Sequence, residues 1–162
     1  MLHNQLDTLS AEFAISYRSF NLRGVTHTVN QTWALDNSSQ VDLEMKKVLR
    51  QGTYSTLNIY FLTSVLPKAV AAVQPGSSRF YRDGCLVLSY TVRVGGTTAT
   101  HEVGHWFGLL QTFDGGCTGL GDMVDDTSAE ASPSTGCNLT RNICPDQPGY
   151  DPVKNFMDYS PG

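Results

Sequence analysis

Thr97-Thr98-Ala99-Thr100-His101-Glu102-Val103-Gly104-His105-Trp106-Phe107-Gly108-Leu109-Leu110-Gln111 lies across the middle of the chain. The window is strongly helical and carries two histidines four residues apart. On an α-helix, positions i and i+4 share one face, so both imidazoles can reach a single metal ion. Glu102 flanks that face, where a carboxylate can take a proton from water acidified by zinc. The chain has only 4 histidines, and two of them falling in this pattern argues against coincidence. The spacing predicts a helix over about 97–110, opened by Gly95-Gly96-Thr97-Thr98. Gly108 sits where such a helix can turn sharply, because glycine tolerates left-handed backbone. The extended pattern HExxHxxGxxH puts a third ligand after that turn, and here the position holds Gln111. Farther on, Asn155-Phe156-Met157-Asp158-Tyr159 offers a candidate Met-turn centred on Met157.

Outward from this window, Leu6, Leu9 and Phe13 recur at helical spacing, predicting a helix around 4–15. Val41, Met45, Val48 and Leu49 predict another to Arg50, stopped near Gly52. Phe20 to Asn30 alternates apolar and polar residues, which reads as a strand with an irregularity at Gly24. Leu57 to Leu62 is a short apolar run ended by Pro67, expected as a buried central strand. Gln74 to Ser78 reads as a loop, and Cys85 to Tyr90 as a further strand. After Phe113 periodicity fades into a stretch rich in Asp, Gly and Pro, holding three of the 4 cysteines. The expected fold class is α/β (α+β): a mixed twisted sheet packed on the 97–110 helix, then an irregular disulfide-stapled subdomain. Residues 1–113 and 114–162 are expected as its two parts.

At 162 residues the chain has room for one such domain. Lys plus Arg number 11 and Asp plus Glu 15, a net charge of −4, and the one basic group, Lys46, Lys47 and Arg50, is small. Nucleic acid is therefore excluded as a partner. No apolar run reaches spanning length, which excludes a transmembrane helix. Met1 to Asp7 lacks the basic and apolar regions of a signal peptide. The even cysteine count and the sequons at Asn30, Asn37 and Asn138 nevertheless point to a secreted glycoprotein whose leader lies outside this sequence.

Together these segments resemble the pappalysin family of metzincin zinc endopeptidases, in its short secreted fungal and bacterial forms. The likeness is carried by Asn21 to Thr26, Ser55 to Phe61, Thr97 to Leu109, Thr112-Phe113 with Gly115-Gly116-Cys117, and Asn155 to Tyr159. The resemblance implies a secreted monomer that hydrolyses peptide or protein substrates. In it His101 and His105 bind Zn2+, Glu102 is the general base, Met157 floors the metal, and Tyr159 is a phenol that steadies the tetrahedral intermediate. It also implies a Ca2+ loop at Asp122, Asp125, Asp126 and Thr127, and a disulfide from Cys117 to Cys144, with Cys85 and Cys137 unassigned. An extended substrate would pair with an edge strand, expected at Cys85 to Tyr90.

Two departures qualify the likeness. Gln111 offers an amide oxygen, a poorer zinc donor than imidazole nitrogen. That leaves three outcomes open: a weakened protease, an inactive metzincin-fold protein that still binds peptide or protein, or compensation by Asp114. The chain also reads as truncated at both ends, short of a first strand and a final cysteine.

Overall fold

The computed structural model describes residues 2–35, 38–64, 67–70, 79–92 and 96–160. The chain divides into two compact units, Met1–Phe107 and Gly108–Gly162. The first contains helices α1 (Leu2–Ala14), α2 (Gln31–Leu35), α3 (Ser39–Leu49) and α4 (Thr98–Trp106), with strands β1 (Ile59–Leu62), β2 (Lys68–Val70) and β3 (Gly84–Leu88). Ser38 starts α3 by accepting a hydrogen bond from the Val41 N–H at 3.4 Å, and Lys46 and Lys47 fall in its last turn, against the negative end of the helix dipole.

The three strands form one mixed sheet in the order β1-β3-β2. Strand β1 runs parallel to β3, pairing Ile59 with Cys85 and Phe61 with Val87. Strand β2 runs antiparallel, pairing Lys68 with Leu86 and Val70 with Gly84. Because side chains alternate along a strand, the sheet feeds two apolar layers. Cys85, Val87, Ile59 and Phe61 pack with Leu9 of α1 and Ala99, Val103 and Trp106 of α4. Tyr60, Leu62, Leu86 and Leu88 pack with Met45 and Leu49 of α3 and Trp33 of α2. Strand β3 is consequently buried on both faces, as expected of a strand between two helical layers.

Several expectations are corrected. The central strand is β3, whereas the apolar run ending at Leu62 supplies β1, which borders the sheet and is only half-buried. Apolar content marks a strand but does not say which neighbours it acquires. Since β3 is paired on both sides, Cys85 to Tyr90 has no open edge for a substrate, and its last residues form a 3-10 turn, Ser89–Thr91. Residues 20–30 form no strand: among the described residues they have no ladder partner, and Leu22, Val25 and Val29 are exposed. Only Phe20 from this segment reaches the core, edge-on to Phe13 at 5.5 Å. The loop expected at Gln74 to Ser78 lies outside the described residues. Lys46 and Arg50 are not a basic surface either. Both side chains are buried, Lys46 beside Asp42 at 3.5 Å and Arg50 on Asp83 at 2.8 Å.

The second unit has no helix or strand among its described residues. The disulfide Cys117–Cys144 closes a long loop within it, and a buried carboxylate organises the rest. Glu130 is fully buried and accepts hydrogen bonds from Thr112 Oγ1 at 2.9 Å and Ser134 Oγ at 2.6 Å. It is also ion-paired with Arg141. The same guanidinium reaches Asp151 at 2.8 Å and the Ser132 carbonyl at 3.0 Å. The Ser132 carbonyl is thus a backbone acceptor satisfied by a side chain instead of a ladder.

Gly84 cannot accept a side chain without moving the backbone. Its φ is +111°, and an added Cβ would stand 2.7 Å from the Asn58 carbonyl oxygen, the acceptor of the Cys85 N–H at 2.9 Å. Gly84→Ala is expected to lower unfolding stability by about 2 to 3 kcal/mol, read as a reduced urea midpoint.

Candidate metal centre

Helix α4 carries the histidine pair. It spans Thr98–Trp106, shorter than the 97–110 expected, and Gly108 follows with φ +97°. Ala99, Val103 and Trp106 fasten one face of α4 to the sheet, which leaves His101 and His105 half-buried on another. Their rings stand edge-to-face with centroids 4.6 Å apart, and the two Nε2 atoms approach to 3.1 Å. Two nitrogens bonded at about 2.0–2.1 Å to one tetrahedral zinc lie roughly 3.3 Å apart. The observed separation fits a shared metal, and paired imidazole nitrogens suit zinc.

Glu102, between them in sequence, is buried. Its Oε2 has no hydrogen-bond partner among the described residues. Burial pushes its carboxyl up to about 7, close to where a group exchanges protons well near neutrality. A cation on the two imidazoles would draw it back down and would offer the orphaned oxygen acidified water as a partner. This side of the site therefore fits the ion that the motif implies.

The other expected residues lie in the second unit. Thr112 N–H donates to the Met157 carbonyl at 3.2 Å, and Met157 is buried. Its turn is drawn tight by Asn155, whose Oδ1 accepts from Met157 N–H at 2.9 Å, and by Asp158 N–H on the Asn155 carbonyl at 3.0 Å. Tyr159 packs edge-on to Phe113 at 5.2 Å, and its hydroxyl accepts from Gln111 Nε2 at 3.3 Å. The structure thus brings together the third-ligand residue and the phenol. Asp114 Oδ2 accepts the Gln111 backbone N–H at 3.1 Å, a capping role for the residue considered above as a substitute ligand.

The acidic loop holds one buried carboxylate and two exposed ones. Asp122 is buried with Oδ1 on the Val124 N–H at 3.0 Å, while Asp125 and Asp126 are exposed and Thr127 N–H bonds the Val124 carbonyl. Among the described residues no group of three His, Cys, Asp or Glu side chains gathers to hold a metal. Cys85 is a wholly buried thiol, donating to the Glu102 carbonyl at 3.5 Å, and burial raises its pKa. Cys137 is exposed. Of the sequons, Asn138 is exposed, Asn30 uses its Oδ1 to cap α2 through Trp33 N–H at 3.1 Å, and Asn37 lies outside the described residues.

One group that sequence reasoning missed is Asp83. The Trp106 indole N–H donates to its Oδ1 at 2.7 Å. A tryptophan directly after the second histidine signals a need for an acceptor, since a buried indole seeks one, but nothing in the sequence says which residue supplies it.

Comparison with known proteins agrees with the motif. The model of the M43 peptidase family, described as pregnancy-associated plasma protein-A, matches residues 36–162. The chain belongs to the M43, or pappalysin, family. This M43 chain is 48% identical over 175 residues to an extracellular metalloprotease of Colletotrichum graminicola, covering 99% of the chain and 60% of that protein. It is 45% identical over 175 residues to extracellular metalloprotease 1 of Coccidioides posadasii, covering 99% and 61%. It thus spans about three-fifths of the length of these relatives. Among solved structures, mature mirolysin of Tannerella forsythia in complex with a cleaved peptide superposes with a TM-score of 0.65 at 26% identity, over 88% of this chain and 59% of that one. The fold is accordingly the mixed α/β arrangement of that metzincin.

If the two imidazoles share a metal, zinc at a hundred times its Kd stabilises the chain by about 2.7 kcal/mol. A rise in melting temperature on zinc addition is expected for the parent and not for His101→Ala or His105→Ala.

Proposed function

We propose that this chain is the catalytic portion of an extracellular zinc endopeptidase whose metal affinity is reduced by Gln111. The observation that carries the reading is the 3.1 Å approach of the His101 and His105 Nε2 atoms beside the orphaned buried oxygen of Glu102. A zinc ion bound there supplies a Lewis acid that polarises a carbonyl and acidifies water. His101 and His105 hold it. Glu102 Oε2 accepts the proton released by the attacking water and returns it to the leaving peptide nitrogen. Met157 and Tyr159 enter by their places in the motif, Tyr159 as a phenol donating to the oxyanion that develops on the scissile carbonyl.

An extended peptide needs an open sheet edge. Strand β2 borders the sheet and packs beside α4, so its outward backbone groups are the proposed docking strip, in place of Cys85 to Tyr90. The cleaved peptide held by mirolysin supports a peptide as ligand. The extracellular reading draws on the relatives' names and on the Cys117–Cys144 bridge, a bond of oxidising compartments. The geometry lends no support to calcium at Asp122 to Thr127, and the metal is proposed as zinc alone.

A second reading has its own observation. Gln111 Nε2 is engaged by the Tyr159 hydroxyl, an arrangement suited to an inactive protein that retains a peptide-binding cleft. Zinc affinity and hydrolysis of a quenched peptide library, measured for the parent and for Gln111→His, separate the two. The protease reading expects measurable parent hydrolysis, with tighter zinc binding and faster turnover for Gln111→His. Zinc-loaded parent with no hydrolysis, alongside an active Gln111→His, would establish the inactive reading. Glu102→Gln is expected to keep the metal and lose about 10²- to 10⁴-fold in rate, monitored on the same library.

A further inference from the structure

We infer that Asp83, acting through Trp106, positions His105 for metal binding, so that the Arg50–Asp83–Trp106 chain sets the geometry of the centre as well as filling the core. The inference rests on the proposed reading of His101 and His105 as metal ligands.

His105 occupies the last turn of α4, which ends at Trp106. End turns are the part of a helix most prone to fray, since their carbonyls lack partners further along. In a helix of 9 residues little cooperative length resists such fraying. Ala99, Val103 and the Trp106 ring pack α4 on the sheet, but apolar contact is non-directional and does not by itself fix the rotation of the last turn. The indole hydrogen bond is directional. Trp106 Nε1 meets Asp83 Oδ1 at 2.7 Å in a buried setting, which fixes the residue next to His105 against a point outside the helix.

That point is itself held from a second side. Asp83 is fully buried, immediately before β3, and its second oxygen is held by Arg50 at 2.8 Å. Arg50 closes α3 through its N–H on the Lys46 carbonyl, donates to the Thr53 carbonyl at 2.8 Å, and lies over the Phe80 ring at 4.4 Å. The last turn of α4 is thereby referred to the end of α3 and the start of β3. Buried ion pairs contribute little net stability and can often be replaced by apolar residues without loss, so packing alone does not call for one here. A metal ligand, by contrast, must be held within about 0.5 Å and 10–20° of its productive geometry.

The test uses the whole chain and reads zinc affinity by competition with a chromophoric chelator, together with the absorption bands of the cobalt-loaded protein. Trp106→Phe keeps the ring and removes the donor. Arg50→Met combined with Asp83→Leu removes the acceptor and both charges at once, so that neither variant buries an unpaired ion. Met45→Ala, in the opposite apolar layer, is the control for lost stability alone. Both positioning variants are expected to bind zinc roughly tenfold more weakly and to shift the cobalt bands while keeping the parent's circular dichroism. Met45→Ala is expected to melt earlier with zinc affinity unchanged. Parent-like affinity and cobalt bands in whichever positioning variant folds would overturn the inference and leave the metal reading standing, and so would an equal loss in Met45→Ala. A parent that binds no zinc would remove the metal reading, and this inference with it.

Discussion

A carboxylate taken out of water must be given donors, and in each unit of this chain one fully buried carboxylate draws distant segments together to meet that demand. In the first unit it is Asp83, reached by Arg50 and Trp106. In the second it is Glu130, reached by Thr112, Ser134 and Arg141. Leaving such a group unpartnered is costly, so the chain segments that bear the donors have little freedom to sit elsewhere. Burial pushes the Asp83 carboxyl above its ordinary range, while the indole and the guanidinium pull it down.

Around Asp83 the fold is a conventional layered one. The two-residue period of the strands sends alternate side chains to α1 and α4 on one side and to α2 and α3 on the other. Helix α4 rides on the layer that β3 shares with β1, and the half-buried histidine face is what remains once its apolar face is spent on the sheet. The second unit has no such layering. There Arg141 and Glu130 do the work that a ladder does elsewhere, and the turn at Met157 takes its shape from the Asn155 side chain.

The sequence disclosed the parts of this arrangement that depend on local pattern. Helical periodicity located α1, α3 and α4 within a few residues, and the i, i+4 spacing placed His101 and His105 on one side of α4, where their nitrogens converge. It could not disclose strand order, which is a matter of partners and not of composition. The apolar run ending at Leu62 therefore reads as central although it forms β1 at the border, and the alternating segment from Phe20 to Asn30 reads as a strand although it has no ladder. The buried hubs were out of reach for a related reason. Asp83 and Trp106 are 23 positions apart, Arg141 and Glu130 are 11, and no periodicity links residues whose only relation is a shared interior.

Cys85 gives the first unit an internal clock. Its thiol has no exposed surface, faces the main chain of α4, and is held protonated by its surroundings. Alkylating reagents can reach it only when the sheet and the histidine helix part, so the rate of its modification in native buffer measures the free energy of that opening. Ligands that grip α4 would slow the clock, which makes binding at the proposed centre visible without any substrate being turned over.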